Sequence, residues 1–183
     1  MTTLQWWQSI ELRSGEARLC SRVNRWGARR ATTRFFTLVS RLGDGAFWYA
    51  LMAAIALFGG GRSGVLVALQ MALTGLAAAG LYRGLKRWTR RPRPFRSHAD
   101  IVALALPLDE FSFPSGHTLH AVTFSIIALA HFPLLGPLLI PFALLVAASR
   151  VVLGLHYPSD VLAATLIGCG LAGFSLWIAA SVV

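Results

Sequence analysis

Three short clusters in this chain hold residue types that can move a phosphoryl group. The first is Lys86-Arg-Trp-Thr-Arg-Arg-Pro-Arg93-Pro94, the second Pro114-Ser115-Gly116-His117, and the third Ser149-Arg150 followed by His156 and Asp160. Lys86, Arg93 and Arg150 are cations, and the arginine fork matches phosphate oxygens two at a time. Pro, Ser and Gly suit a helix N-terminus, whose free N–H groups and dipole bind anions. Gly116, lacking a Cβ, lets the backbone come close to such an anion. His117 would stand beside it with a proton to give. Pro158 disfavours helix at Tyr157, which puts His156 in a turn and Asp160 in the first turn of the helix that follows. A carboxylate there can accept the Nδ1–H of His156 and leave Nε2 as a nucleophile or base.

Each piece alone has an ordinary alternative: arginines that reach to lipid headgroups, a plain N-cap, a hydrogen-bonded structural histidine. Two histidines, three cations and a helix-terminus cradle together describe phosphoryl transfer. One histidine attacks phosphorus, the other protonates the leaving oxygen, and the cations hold the remaining oxygens. The residues alone leave open which histidine attacks. Zinc would need a third ligand in a site already crowded with positive charge, so the reading calls for no metal and no other cofactor. His98, His120 and His131 are left as structural.

The elements that must position these residues are written in the composition. Of 183 residues 56% are hydrophobic and 13% charged, about half the charged share of a soluble domain. The expected fold is all-α and membrane-integral. Four uncharged stretches are apparent: Gly45–Gly61, Ser63–Tyr82, Thr118–Ser149 and Val161–Val183. The third is too long for one straight span, and Pro133, Gly136 and Pro137 divide it into two helices. That predicts about five transmembrane helices in a domain covering 44–183. The segment 83–117 is a loop at one membrane face, and the hairpin after it returns Arg150–Asp160 to the same face.

Residues 1–43 form a separate basic segment. Leu12, Leu19, Val23 and Trp26 recur at helical spacing among arginines, with Trp6 and Trp7 upstream. This predicts an amphipathic helix at an anionic membrane surface. Met1–Arg13 has no apolar core of signal-peptide length. Cys20 and Cys169 offer no disulfide framework. The chain carries 17 Lys+Arg against 7 Asp+Glu, a net +10. Because acidic partners are scarce, the cations on that face call for an external anion, and phosphate suits arginine in particular.

The three clusters, in order and rough separation, resemble the signatures of the type 2 phosphatidic acid phosphatase superfamily over about residues 44–180. The layout is similar to the compact bacterial undecaprenyl pyrophosphate phosphatases. The resemblance implies metal-independent hydrolysis of a phosphomonoester or pyrophosphate of a lipid through a phosphohistidine, with no cofactor. His156 would be the nucleophile, oriented by Asp160, and His117 the general acid. Lys86, Arg93, Ser115, Gly116 and Arg150 would bind phosphate. The partners implied are a lipid phosphate substrate and membrane lipids, and no nucleic acid; oligomeric state is left open. A lipid phosphotransferase with the same site, or a non-enzymatic protein binding anionic lipid, are the alternatives. The family implies a multi-pass protein of the bacterial inner membrane with its site on the periplasmic face. Counting basic residues points the other way, to the cytoplasm; the catalytic use of at least three of them favours the family's side.

Overall fold

The computed structural model describes residues 15–182, and every regular element among them is a helix. In chain order they are α1 (Glu16–Gly27), α2 (Arg30–Leu42), α3 (Ala46–Phe58), α4 (Arg62–Thr89), the single turn α5 (Pro94–Ser97), α6 (Gly116–His131), a 3-10 turn (Pro133–Leu135), α7 (Gly136–Val152) and α8 (Pro158–Val182). Trp6, Trp7, Leu12 and Arg13 lie outside the described residues.

Each uncharged stretch is a helix, and the third breaks where the prolines and glycine predicted. Pro133 ends α6, and Pro137 sits in the first turn of α7, where a missing N–H is harmless. Among the described residues, three helices are long and apolar enough to cross a membrane: those within Arg62–Ser97, Pro133–Val152 and Pro158–Ser181. The α3 helix is shorter at 13 residues, about 20 Å at 1.5 Å per residue.

One boundary differs from expectation. The second apolar helix does not stop at Tyr82 but continues to Thr89, so Lys86 rides a helix rather than a loop. Its last turn holds Lys86 and Arg87, charges that favour the carboxyl end of a helix dipole, and no proline intervenes before Pro92. The chain then turns at Arg90, in the left-handed conformation.

The core is where α3, α4, α6 and α7 meet. Trp48, Met71, Phe124, Ile127, Leu139 and Val146 are buried there, and the Trp48 ring lies against Phe124 and Phe142. Helices α4 and α6 approach closely at Gly75: a Cβ there would sit 2.6 Å from the Phe124 ring. On the other side of α6 lies α8, and α1 and α2 pack on α7.

Helix α1 buries Cys20, Ser21, Asn24 and Gly27 against the protein and leaves Leu19 and Trp26 exposed. Its Asn24 closes a clamp on two loops. The side-chain amide donates to the carbonyls of Val102 and Val152 and accepts from the Val102 N–H at 2.9 Å. Beside it Gly154 turns with φ +72°, where a Cβ would meet the Val102 carbonyl at 2.6 Å. That turn delivers His156.

Candidate active site

The ends of α4, α6 and α7 and the turn into α8 converge on a cavity of about 920 Å³. Lys86, Arg93, Gly116, His117, Arg150 and His156 line its polar end together with Asp44, Arg83, Arg87, Asp109 and Glu110, and Trp48, Tyr49, Met52, Leu76, Ala79 and Phe124 line an apolar end. All three clusters singled out in the sequence therefore contribute to one space. Ser115 lies behind the lining, its hydroxyl 3.0 Å from the Thr118 hydroxyl. It begins α6 with extended backbone (φ −74°, ψ 106°), and its carbonyl accepts the Leu119 N–H.

His156 is 2% exposed. Its Nε2 lies 3.2 Å from Nη1 of Arg93. A guanidinium only donates, so Nε2 is the acceptor and the proton of the neutral ring is on Nδ1. Burial, followed by the positive charges of Arg93, Arg150 and Lys86, holds this imidazole well below its ordinary pKa. It is a neutral base with its lone pair turned toward the cations.

Asp160 departs from expectation. Its Oδ2 lies 3.6 Å from Nδ1 of His156, beyond hydrogen-bond length. Its oxygens are engaged elsewhere. Arg91 donates to Oδ1 at 2.7 Å, the Tyr157 N–H to Oδ2 at 2.8 Å, and the Ser112 hydroxyl also to Oδ2. Asp160 therefore faces His156 electrostatically while tying three segments together.

The cations are less free than the sequence implied. One oxygen of Asp109 accepts from Lys86 at 2.8 Å and from Arg93 at 2.7 Å. Burial pushes this carboxyl up, but the two cations outweigh it and leave it below the ordinary carboxylate range. The demand for an anion is thus met in part from within the chain. Arg150 is fully buried. Its Nη1 donates to the Ser40 hydroxyl, and its Nε has no hydrogen-bond partner among the described residues. His117 lies with Nε2 3.5 Å from Asp44, whose carboxyl is raised by burial against the pull of Arg150 and His120.

The residues missed in the sequence are those that hold the first layer in place: Arg91, Asp109, Ser112 and Glu16. Arg91 is 1% exposed. It spans Asp160, the Ser159 hydroxyl at 2.7 Å and Glu16 at 3.0 Å, with its guanidinium 4.1 Å from the Tyr157 ring centre. A signal existed, since a buried arginine is stable only with a charged or hydrogen-bonding partner, and an acid is the strongest such partner.

The family model of the PAP2 superfamily matches residues 63–182. The chain belongs to the PAP2 superfamily. Among PAP2 relatives, undecaprenyl-diphosphatase BcrC of Bacillus subtilis (strain 168) is 37% identical over 120 residues, 65% of this chain and 61% of that protein. Phosphatidylglycerophosphatase B of Escherichia coli (strain K12) is 38% identical over 77 residues, covering 38% of this chain and 29% of its own length. The matches thus span less than two thirds of these relatives. Of solved PAP2 structures, a transmembrane phosphatidylglycerolphosphate phosphatase from Bacillus subtilis superposes with TM-score 0.74 at 24% identity, over 94% of this chain and 88% of that one. Aquifex aeolicus LpxE gives 0.71 at 28% identity, over 87% and 93%. The fold is that of a multi-pass bacterial membrane protein of this superfamily.

Proposed function

We propose that the chain is a membrane lipid phosphatase that cleaves a phosphomonoester or pyrophosphate from a lipid. The observation that carries the reading is the two-ended cavity. A neutral histidine with its lone pair among cations stands at one end, and an aromatic and aliphatic wall lies at the other. The phosphate enters the polar end, where Lys86, Arg93, Arg150 and the N–H groups at the start of α6 hold its oxygens. Asp109 yields its two cations to the phosphate. Nε2 of His156 attacks phosphorus, and the bond to the lipid oxygen breaks with its electrons going to that oxygen. His117 gives it a proton. Water then loses a proton to His117 while its oxygen attacks phosphorus, the N–P bond breaks, and inorganic phosphate leaves. Asp160 stabilises the positive charge that develops on His156.

The names of the relatives support undecaprenyl diphosphate and phosphatidylglycerophosphate as the first substrates to compare, with phosphatidic acid added from the sequence resemblance. The family likeness supports a site on the periplasmic face of the bacterial inner membrane. The test is phosphate release by purified, detergent-solubilised protein with EDTA present, on those three lipids, beside His156→Ala. Release that survives EDTA and vanishes in the variant is expected, and the ratio of rates ranks the lipids. Full activity of His156→Ala would remove the phosphohistidine mechanism. Loss on adding EDTA, restored by a divalent cation, would remove the metal-independent one.

A further inference from the structure

Glu16 lies 47 residues before the segment that matches the family, yet its side chain reaches the catalytic turn. Oε1 accepts the N–H of Ser159 at 2.6 Å, and Oε2 accepts from Arg91 at 3.0 Å. Arg91 in turn holds Oδ1 of Asp160 at 2.7 Å, and Oδ2 of that carboxylate faces Nδ1 of His156. Three of these four side chains are almost wholly buried and Glu16 is 11% exposed, so solvent screens the chain of charges weakly. The first N–H of α8, that of Ser159, is thus satisfied from outside the helix, by a carboxylate that favours its N-terminal dipole.

We propose that Glu16 is a positioning residue for the nucleophile. It fixes Arg91 and the first turn of α8, and through them the Asp160 carboxylate that faces His156. The inference rests on the reading of His156 as nucleophile. Without the charge of Glu16, Arg91 loses one of the carboxylates that share its positive charge. Asp160 is then drawn harder to Arg91, and less negative potential reaches Nδ1–H. The other charged and titratable groups around the His156 ring are Arg93, Lys86 with its partner Asp109, Arg150 and His117. Arg91 also donates to the Ser159 hydroxyl and lies over the Tyr157 ring.

The test compares the full chain with Glu16→Gln and with Asn24→Ala, which breaks the other anchor of α1 without touching the Arg91–Asp160 pair. Steady-state kinetics on phosphatidic acid, a pH profile of kcat/KM and a melting temperature are measured for each. Glu16→Gln is expected to lower kcat on the order of tenfold, as loss of an outer partner of a catalytic histidine does. KM should stay within about twofold, and the acid limb of its profile should move to lower pH. Asn24→Ala should lower the melting temperature and leave the acid limb in place. Wild-type kcat and profile in Glu16→Gln would overturn the proposal. So would equal losses in the two variants, in step with melting temperature and with an unmoved limb. Activity surviving in His156→Ala would instead strike the nucleophile reading beneath it.

Discussion

Arg93 donates to the nitrogen of His156 that the proposed mechanism uses, with 3.2 Å between Nη1 and Nε2. The same guanidinium therefore fixes the tautomer of the nucleophile and is placed to bind the phosphate it attacks. Replacing Arg93 by Lys removes the fork while keeping a charge. The expected result is a fall in kcat/KM of about a hundredfold or more, the size set by loss of a preorganised charged donor. Near wild-type kinetics on phosphatidic acid would deny Arg93 both tasks.

In the proposed mechanism the buried His156 must be unprotonated to attack, and its pKa is held well below the ordinary value of 6.5. Activity limited by this group therefore persists as pH falls through 6.5 and declines only at lower pH. Stability changes in the opposite sense. The unfolded chain takes up a proton near 6.5 that the folded one refuses, so His156 contributes a loss of stability as pH falls below that value. Rate profiles and melting temperatures over the same pH series would separate the two effects. An acid limb at an ordinary histidine pKa would contradict the depressed value.

Protonation of the leaving oxygen matters most when that oxygen is basic. His117→Ala should cut activity toward phenyl phosphate far more than toward nitrophenyl phosphate, whose leaving group needs little help. Equal losses on the two esters would take the general-acid role away from His117.

Asp109 occupies the two cations from inside the protein. Asp109→Asn should tighten inhibition by inorganic phosphate by about tenfold, because the anion no longer competes with a carboxylate. Weaker inhibition would mean that Asp109 organises Lys86 and Arg93 for phosphate rather than screening them from it.

At Gly75 the Phe124 ring leaves no room for a side chain. Gly75→Val should destabilise the fold by about 1–3 kcal/mol through overpacking, read as a lower melting temperature in detergent. An unchanged melting temperature would show that α4 and α6 can separate there without loss.

Much of this was legible in the sequence because local chemistry dictated it. The uncharged stretches had to be helices, Pro133 and Pro137 had to divide one of them, and the PSGH run had to begin α6. What was not legible depends on contacts distant in sequence. Glu16 and Ser159 are 143 residues apart, and nothing around either predicts the other. Arg90 and Arg91 are adjacent and alike in sequence, yet a left-handed turn at Arg90 sends the second inward to Asp160. Lys86 was expected on a loop because charge was taken as the end of the span. The helix instead continues, its amide hydrogen bonds unaffected by polar side chains at its end.

The cavity with one wet and one greasy end has a consequence for how a reaction cycle finishes. In the proposed reaction the phosphate product sits among the charged lining that includes Asp109 and leaves to water, while the dephosphorylated lipid lies against Leu76 and Ala79 and leaves to hydrocarbon. Emptying the site is then two partition events in two solvents. Buffer phosphate governs one of them, and the thickness and fluidity of the surrounding bilayer or micelle govern the other.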